Sequence, residues 1–207
     1  MVSLSLEVGQ TLDDAWAEQA CALPFPAREQ LLAQADSLRD REGGIPTAFA
    51  CYRALRGDLD PAQPTHSDRV AWLLGHARAP DNALEGLARA AAVAERGTEL
   101  WFLGQFRTAY YDRAAGRLDE AVQRLLTLRE HTAGGDAAAE GAVLANLTIC
   151  FLQQERSVEA LFVGRRAIDA QERSGKLRGI LHIKLIVARS YARFHDWSRH
   201  EALLSSV

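Results

Sequence analysis

Residues 136–175 read DAAAEGAVLANLTICFLQQERSVEALFVGRRAIDAQERSG, and the rest of the chain reads as looser copies of this stretch. Ala142, Ala145, Leu147, Ile149, Phe151 and Leu152 give its first half a broad apolar surface. In the second half Ala160, Leu161, Val163, Ala167 and Ile168 recur at three- and four-residue spacing, the pattern of a one-sided helix. The polar run Gln153-Gln154-Glu155-Arg156 separates the halves, and Ser157 is placed to cap the second helix. Neither helix can bury its apolar surface alone, so the two close as an antiparallel helical hairpin. The first helix keeps apolar area over for a neighbouring hairpin.

Neighbours are visible as a period. Small residues at the second-helix position recur as Ala83, Ala121, Ala160 and Ala202, in steps of 38, 39 and 42 residues. Their contexts read NALEGLARA, EAVQRLLTL, EALFVGRRA and EALLSSV. A weaker copy starts at Ala48, 35 residues before Ala83 and just after Gly43-Gly44. A period near forty residues with a small residue at each helix crossing marks a helical solenoid, because large side chains there would hold the helices apart.

The pattern resembles the tetratricopeptide repeat, in the longer variety found in bacterial transcriptional regulators and signalling proteins. Asn146-Leu147-Thr148 with Phe151, Ala160 and Ala167 carry the resemblance most fully. Ala188 with Tyr191 and the His195-Asp196-Trp197 turn follow, then the run from Gly116 to Ala121. The connector from Glu172 to Gly179 looks like that variety's link between repeats. The resemblance covers residues 65–207, and residues 27–60 more loosely. Three positions depart from it: Glu155 replaces the usual turn glycine, Gly164 stands where a large apolar residue is normal, and His200 blurs the register of the last copy. The resemblance implies an all-α, TPR-like α-solenoid of about five antiparallel helical hairpins with an extra N-terminal helix. Residues 1–26 would be the N-terminal extension and helix, and 27–207 the repeat domain. The function implied is a non-enzymatic interaction or sensory module that binds a peptide or partner protein, or dimerises. Such modules regulate an attached output domain: a diguanylate cyclase, a histidine kinase or a transcriptional regulator.

Composition sets outer bounds. With 207 residues at 48% apolar content the chain can bury a sizeable core or one continuous array. All six prolines (Pro24, Pro26, Pro46, Pro61, Pro64, Pro80) precede residue 81, so the remainder is free of the strongest helix breaker. A net charge of -3 argues against a general nucleic-acid binder. Charge is unevenly spread, with ten acidic and five basic residues in 1–60 but three acidic and seven basic in 171–207. Cys21, Cys51 and Cys150 lie far apart within helical patterns and read as buried small hydrophobes of a reducing compartment. No apolar run approaches a membrane span, and the N-terminus lacks the pattern of an export signal, which leaves the cytoplasm as the default location.

Local signals place the helices. Thr11 with Asp14 forms a capping box for a helix to Ala22, and Pro26 sits in the first turn of a helix over 27–42. Pro46 opens a short helix to Leu55, and residues 56–68 read as a long loop holding Arg56-Gly57-Asp58. Thr65 with Asp68 caps the next helix, which Pro80 ends, and Asp81 caps one running to Glu95. Helices follow at 98–115 and 117–131, then the reference pair, then one at 177–194. The last begins at Ser198 and stops after barely two turns, leaving Leu203 and Leu204 uncovered. That stop predicts a chain cut short of a longer protein at its C-terminal end.

Catalytic and cofactor patterns are not found. The glycine pairs lack the strand and lysine of a phosphate cradle, the cysteines lack metal spacing, and no cofactor is expected. His195 and His200 are five apart, a poor face for coordination, and the acids Asp13, Asp14 and Glu18 suit a helix start. Trp101, Phe102 and Phe106 read as core between adjacent hairpins. The candidate binding residues are Arg107 and Tyr111 on one first helix, and His182, Arg189 and Arg193 with Lys184 on another. On a concave face their guanidinium groups suit a carboxylate-rich peptide or acidic partner segment. Two alternatives stand beside this one: a helical enzyme or small-ligand sensor with a pocket near Arg107, Tyr110 and Tyr111, and a nucleic-acid-binding repeat that uses the basic final segment.

Overall fold

The computed structural model describes residues 4–77, 81–175 and 177–205, apart from the side chains of 177, 178 and 204. Among these residues there are eleven α-helices and two short 3-10 turns, and no strand. The chain is all-α, and it divides into two compact units, Met1–Arg107 and Thr108–Val207. The expected helix stop at Pro80, the connector residue Lys176 and the exposure of Leu204 lie outside the described residues.

The first unit begins with α1 (Asp14–Ala22). Its cap is Asp13, whose carboxylate accepts the Trp16 amide at 2.8 Å, and not the expected Thr11. A capping oxygen must sit one residue before the first helical one, and that place belongs to Asp13. α2 (Phe25–Arg39) follows Pro24 with Pro26 in its first turn, and α3 (Ile45–Ala54) carries Pro46 in the same role. These two pack together around Leu31, Leu32, Ala35, Ala48, Cys51 and Tyr52, all essentially without exposure. The long loop expected over 56–68 is shorter. Arg56–Asp58 forms a 3-10 turn, and α4 (Pro64–His76) starts at Pro64 with no side-chain cap from Thr65 or its neighbours. Proline at the first helical position has no amide to satisfy and a preset φ, so it opens the helix unaided.

Asp81 caps the 3-10 turn Asn82–Leu84 by accepting the Ala83 amide at 3.0 Å, and it also pairs with Arg53 of α3. Burial pushes the Asp81 carboxyl up, but Arg53 and the Ala83 amide together hold it below the usual carboxylate range. α5 (Glu85–Ala91) ends four residues before the expected Glu95. There the Gln105 side chain donates to Ala92 O at 2.9 Å, taking a carbonyl that a further helical turn would have used. Gln105 belongs to α6 (Glu99–Ala114), which crosses the border between the units. Gly104 on α6 lies so close to the end of α5 that a Cβ would fall 2.4 Å from Ala91 C and Ala92 N. Only glycine fits that approach.

The second unit holds the end of α6, α7 (Leu118–Thr132), α8 (Ala137–Gln153), α9 (Ser157–Ser174), α10 (Leu177–Arg193) and α11 (Trp197–Ser205). From α7 onward each helix packs on the next, and α8 also packs on α10. Leu125, Leu128, Val143, Leu144, Leu147, Ile183 and Val187 fill the space between them.

Three connections in this unit are built alike. Each is three residues long, between α6 and α7, α8 and α9, and α10 and α11. Each has a left-handed residue at its centre: Gly116 (φ 79°), Glu155 (φ 60°) and His195 (φ 56°), spaced 39 and 40 residues apart. In each the following amide returns to the carbonyl five residues back: Arg117 to Asp112 at 2.8 Å, Arg156 to Phe151 at 2.9 Å, Asp196 to Tyr191 at 3.1 Å. This closes the last helical turn by the bond typical of a glycine-terminated helix. At Glu155 and His195 the same turn is made without glycine.

The turn also sets the register. Five residues beyond the left-handed residue stand Ala121, Ala160 and His200, and Gly43 (φ 75°) precedes Ala48 by the same count. Ala48, Ala121 and Ala160 are fully buried, as a close helix crossing requires. In the last copy the place is taken by His200, half-buried with Nδ1 2.9 Å from Ala188 O, while the expected Ala202 is exposed. Ser157 does not cap α9. It is already the first helical residue, the cap position is Arg156 without a side-chain bond, and the Ser157 amide meets Glu155 O at 3.0 Å. Gly164 has its reason too, since a Cβ there would lie 2.4 Å from Val187 Cγ2 and 3.2 Å from Thr148 Cγ2. Glycine lets α9 settle against α8 and α10 together.

Candidate functional site

Counting back from each left-handed residue compares the first helices of the second unit position by position. Six residues before it stand Tyr110, Ile149 and Arg189, and five before it Tyr111, Cys150 and Ser190. The latter three are buried, Tyr111 at 5% exposure and the others at 0%. Tyr111 is therefore a core residue and offers no ring face to a partner. Tyr110 and Ile149 are half-buried and Arg189 is exposed, so their shared position faces outward.

The outward face of α8 carries Ala142, Asn146 and Ile149, and that of α10 carries His182, the exposed Leu185 and Arg189 with Arg193 at its end. The two helices pack together, and Arg193 Nη1 donates to Leu152 O at 2.9 Å, laying its guanidinium across the end of α8. Asn146 turns onto its own helix, donating to Ala142 O at 3.0 Å. The result is an uncharged strip on α8 and a mixed one on α10, with the guanidinium groups of Arg189 and Arg193 beside exposed Leu185. Lys184 does not join it: its side chain is largely buried and lies 3.7 Å from Glu172. Arg113 stacks over the Tyr110 ring at 4.7 Å, adding a further guanidinium beside that tyrosine.

Arg107 lies in the first unit and has structural employment there. Its Nε donates to Leu74 O at 2.7 Å and Nη2 to Gly75 O at 3.4 Å, satisfying carbonyls at the end of α4. Trp101 is buried, while Phe102 and Phe106 stack half-buried with centroids 6.0 Å apart. Asp58 of the Arg56-Gly57-Asp58 turn is held by Arg28 through two bonds of 2.8 Å.

Two clefts lie among the described residues. One of about 360 Å³ lies between α1 and α3, lined by Leu12, Asp14, Glu18, Phe49 and Arg53 among others. A more open one of about 620 Å³ lies over the α6–α7 and α8–α9 turns, where Gln154 Nε2 donates to Asp119 at 2.7 Å. Among the described residues no group of three or more His, Cys, Asp or Glu side chains is placed to hold a metal ion. No helix of the described residues is long and apolar enough to cross a membrane.

The cysteines divide. Cys51 and Cys150 are buried as expected, and burial pushes their thiols up to about 12 and about 11. Cys21 is exposed, contrary to the sequence reading. It sits near the open end of α1, where the helix buries only Trp16 and Ala20.

A buried polar cluster in the first unit escaped the sequence reading altogether. Arg69, 9% exposed, donates to Asp36 at 2.8 Å and to Glu29 at 3.2 Å, and the Tyr52 hydroxyl donates to Asp36. Burial and that bond push the Tyr52 phenol up. His66, 4% exposed, accepts the Asp60 amide on Nδ1 at 3.2 Å, and its Nε2 lies 3.4 Å from Glu29 Oε1. These residues come from α2, α3, a loop and α4, so no spacing along the chain could have joined them.

Comparison of the chain with family models, with curated proteins and with solved structures finds no match in any of the three.

Proposed function

We propose that this chain is a non-enzymatic, TPR-like interaction module that binds an acidic peptide segment and passes the binding event to an attached output domain. The observation that carries the reading is the recurring turn. Gly116, Glu155 and His195 close three helix pairs with the same backbone bond at a spacing of 39 and 40 residues. A period of that length built from antiparallel helix pairs belongs to helical-repeat arrays, whose open faces hold extended peptides or partner helices. An acidic occupant is supported by the guanidinium groups of Arg189 and Arg193, with His182, on the outward face of α10, which packs against α8. Guanidinium groups there recognise carboxylates, and the α8 strip takes an apolar side chain.

The test is a panel of fluorescent peptides, ten to fifteen residues long, rich in Asp and Glu around one apolar residue, with Asn and Gln versions as controls. Acidic peptides are expected to bind in the micromolar range and to weaken with added salt. Changing Arg189 and Arg193 together to Glu is expected to reduce affinity at least about tenfold, as loss of two charge-assisted contacts should. Equal binding of the Asn and Gln controls, or binding untouched by the double change, would overturn the reading.

A further inference from the structure

The cluster around His66 has the parts of a proton-operated latch. The loop from Leu59 to Gln63 joins the 3-10 turn after α3 to the start of α4, and Leu59 within it is buried. The Asp60 amide in that loop donates to His66 Nδ1 at 3.2 Å, which requires Nδ1 to be unprotonated. Neutral His66 must then carry its hydrogen on Nε2, facing Glu29. Glu29 Oε1 is buried 3.4 Å from Nε2 and has no hydrogen bond among the described residues, so it is short of a strong donor. Its other oxygen is taken by Arg69 at 3.2 Å.

We propose that protonation of His66 releases the loop 59–63, exchanging the Asp60 bond for an ion pair with Glu29. A protonated imidazole carries hydrogens on both nitrogens, so Nδ1–H would face the Asp60 N–H donor to donor. The two cannot share that contact, and the loop must retract. On the other side of the ring the charged Nε2–H strengthens its hold on Glu29.

The charged and titratable groups of the cluster that holds the ring come from α2, α3, the loop and α4. Glu29 and Asp36 lie on α2, Tyr52 on α3, Asp60 on the loop, and Arg69 on α4. Asp36 is engaged by Arg69 and Tyr52, which leaves Glu29 as the carboxylate that meets the new charge. The Asp60 carboxylate accepts the Ala62 amide at 2.9 Å, so it helps hold the loop's own turn. Protonation therefore opens the connection between α3 and α4 while the Glu29–Arg69–Asp36 ties that hold α2 to α4 persist.

Nitrogen-15 NMR on the full chain between pH 8 and pH 5 tests this without any variant. At pH 8 His66 should be the Nε2–H tautomer. As it titrates, the protection factor of the Asp60 amide should fall about tenfold, the order expected for one lost hydrogen bond, with the midpoint of His66. Amides of Leu32 and Val70 should keep their protection. His66→Asn places a non-titrating oxygen where Nδ1 stood, so Asp60 should stay protected over the whole range. An Nδ1–H tautomer, an Asp60 midpoint unrelated to that of His66, or an unchanged pH response in His66→Asn would each overturn the latch. If the variant does not fold, the tautomer and the coincidence of midpoints in the natural chain still decide.

Discussion

Glu155 holds a left-handed backbone that costs an ordinary residue roughly 1 kcal/mol, and it does so at a turn where Gly116 pays nothing. Its side chain is exposed, so little else depends on it. Glu155→Gly is therefore expected to stabilise the protein by about 1 kcal/mol, read as a shift in urea midpoint with unchanged slope. His195→Gly should gain less, because the imidazole ring lies beside Trp197 with centroids 6.4 Å apart. Thiol chemistry is also decided residue by residue. Cys21 is exposed, whereas Cys51 and Cys150 are buried with thiols pushed up to about 12 and about 11, burial being the main cause. A thiol-disulfide reagent at pH 8 should titrate one cysteine promptly in the folded protein and the other two only in denaturant. Replacing Cys21 by Ser should abolish the prompt phase, and a prompt phase that survives would contradict the burial pattern.

Between elements, glycine decides how closely helices approach. At Gly164 an added methyl meets Val187, which is buried and branched, with Thr148 behind it. The overpacking cost of about 1–3 kcal/mol exceeds the gain of about 1 kcal/mol from a better helix former, so Gly164→Ala should destabilise. Gly86 is the counter-example. It lies exposed on α5 with nothing within 4 Å of an added Cβ, and Gly86→Ala should stabilise by about 0.5 kcal/mol. Opposite signs in paired thermal melts are the expected outcome, and equal signs would mean that the α9 approach is looser than its contacts imply. The departure of Gly164 from the repeat pattern thus marks a tight contact rather than a weak copy.

For the molecule as a whole, the proposed binding face and the stability of the fold are separable. Arg189 is exposed and Arg193 adds a single bond to a half-buried carbonyl residue, so the charge reversal that tests peptide binding should leave the melting temperature within a few degrees. Internal support for the fold rests instead on the small residues at the crossings and on buried Asp112, 2% exposed and held by Arg117 at 2.8 Å and Arg124 at 3.0 Å.

The sequence alone determined the all-helical class, the helix order after residue 98 and the placement of Ala48, Ala121 and Ala160 at crossings. It could do so because apolar periodicity and the missing prolines act locally, within a few turns of helix. Only the tertiary structure decided the register of the last copy, where His200 rather than Ala202 takes the crossing, and the fate of single site residues. Tyr111 turned inward and Arg107 turned to the carbonyls of α4, although their spacing on one helix fitted an outward pair equally well. The His66 cluster was decided there too, because its ion pairs join residues 33 to 40 positions apart and leave no period in the chain to betray them.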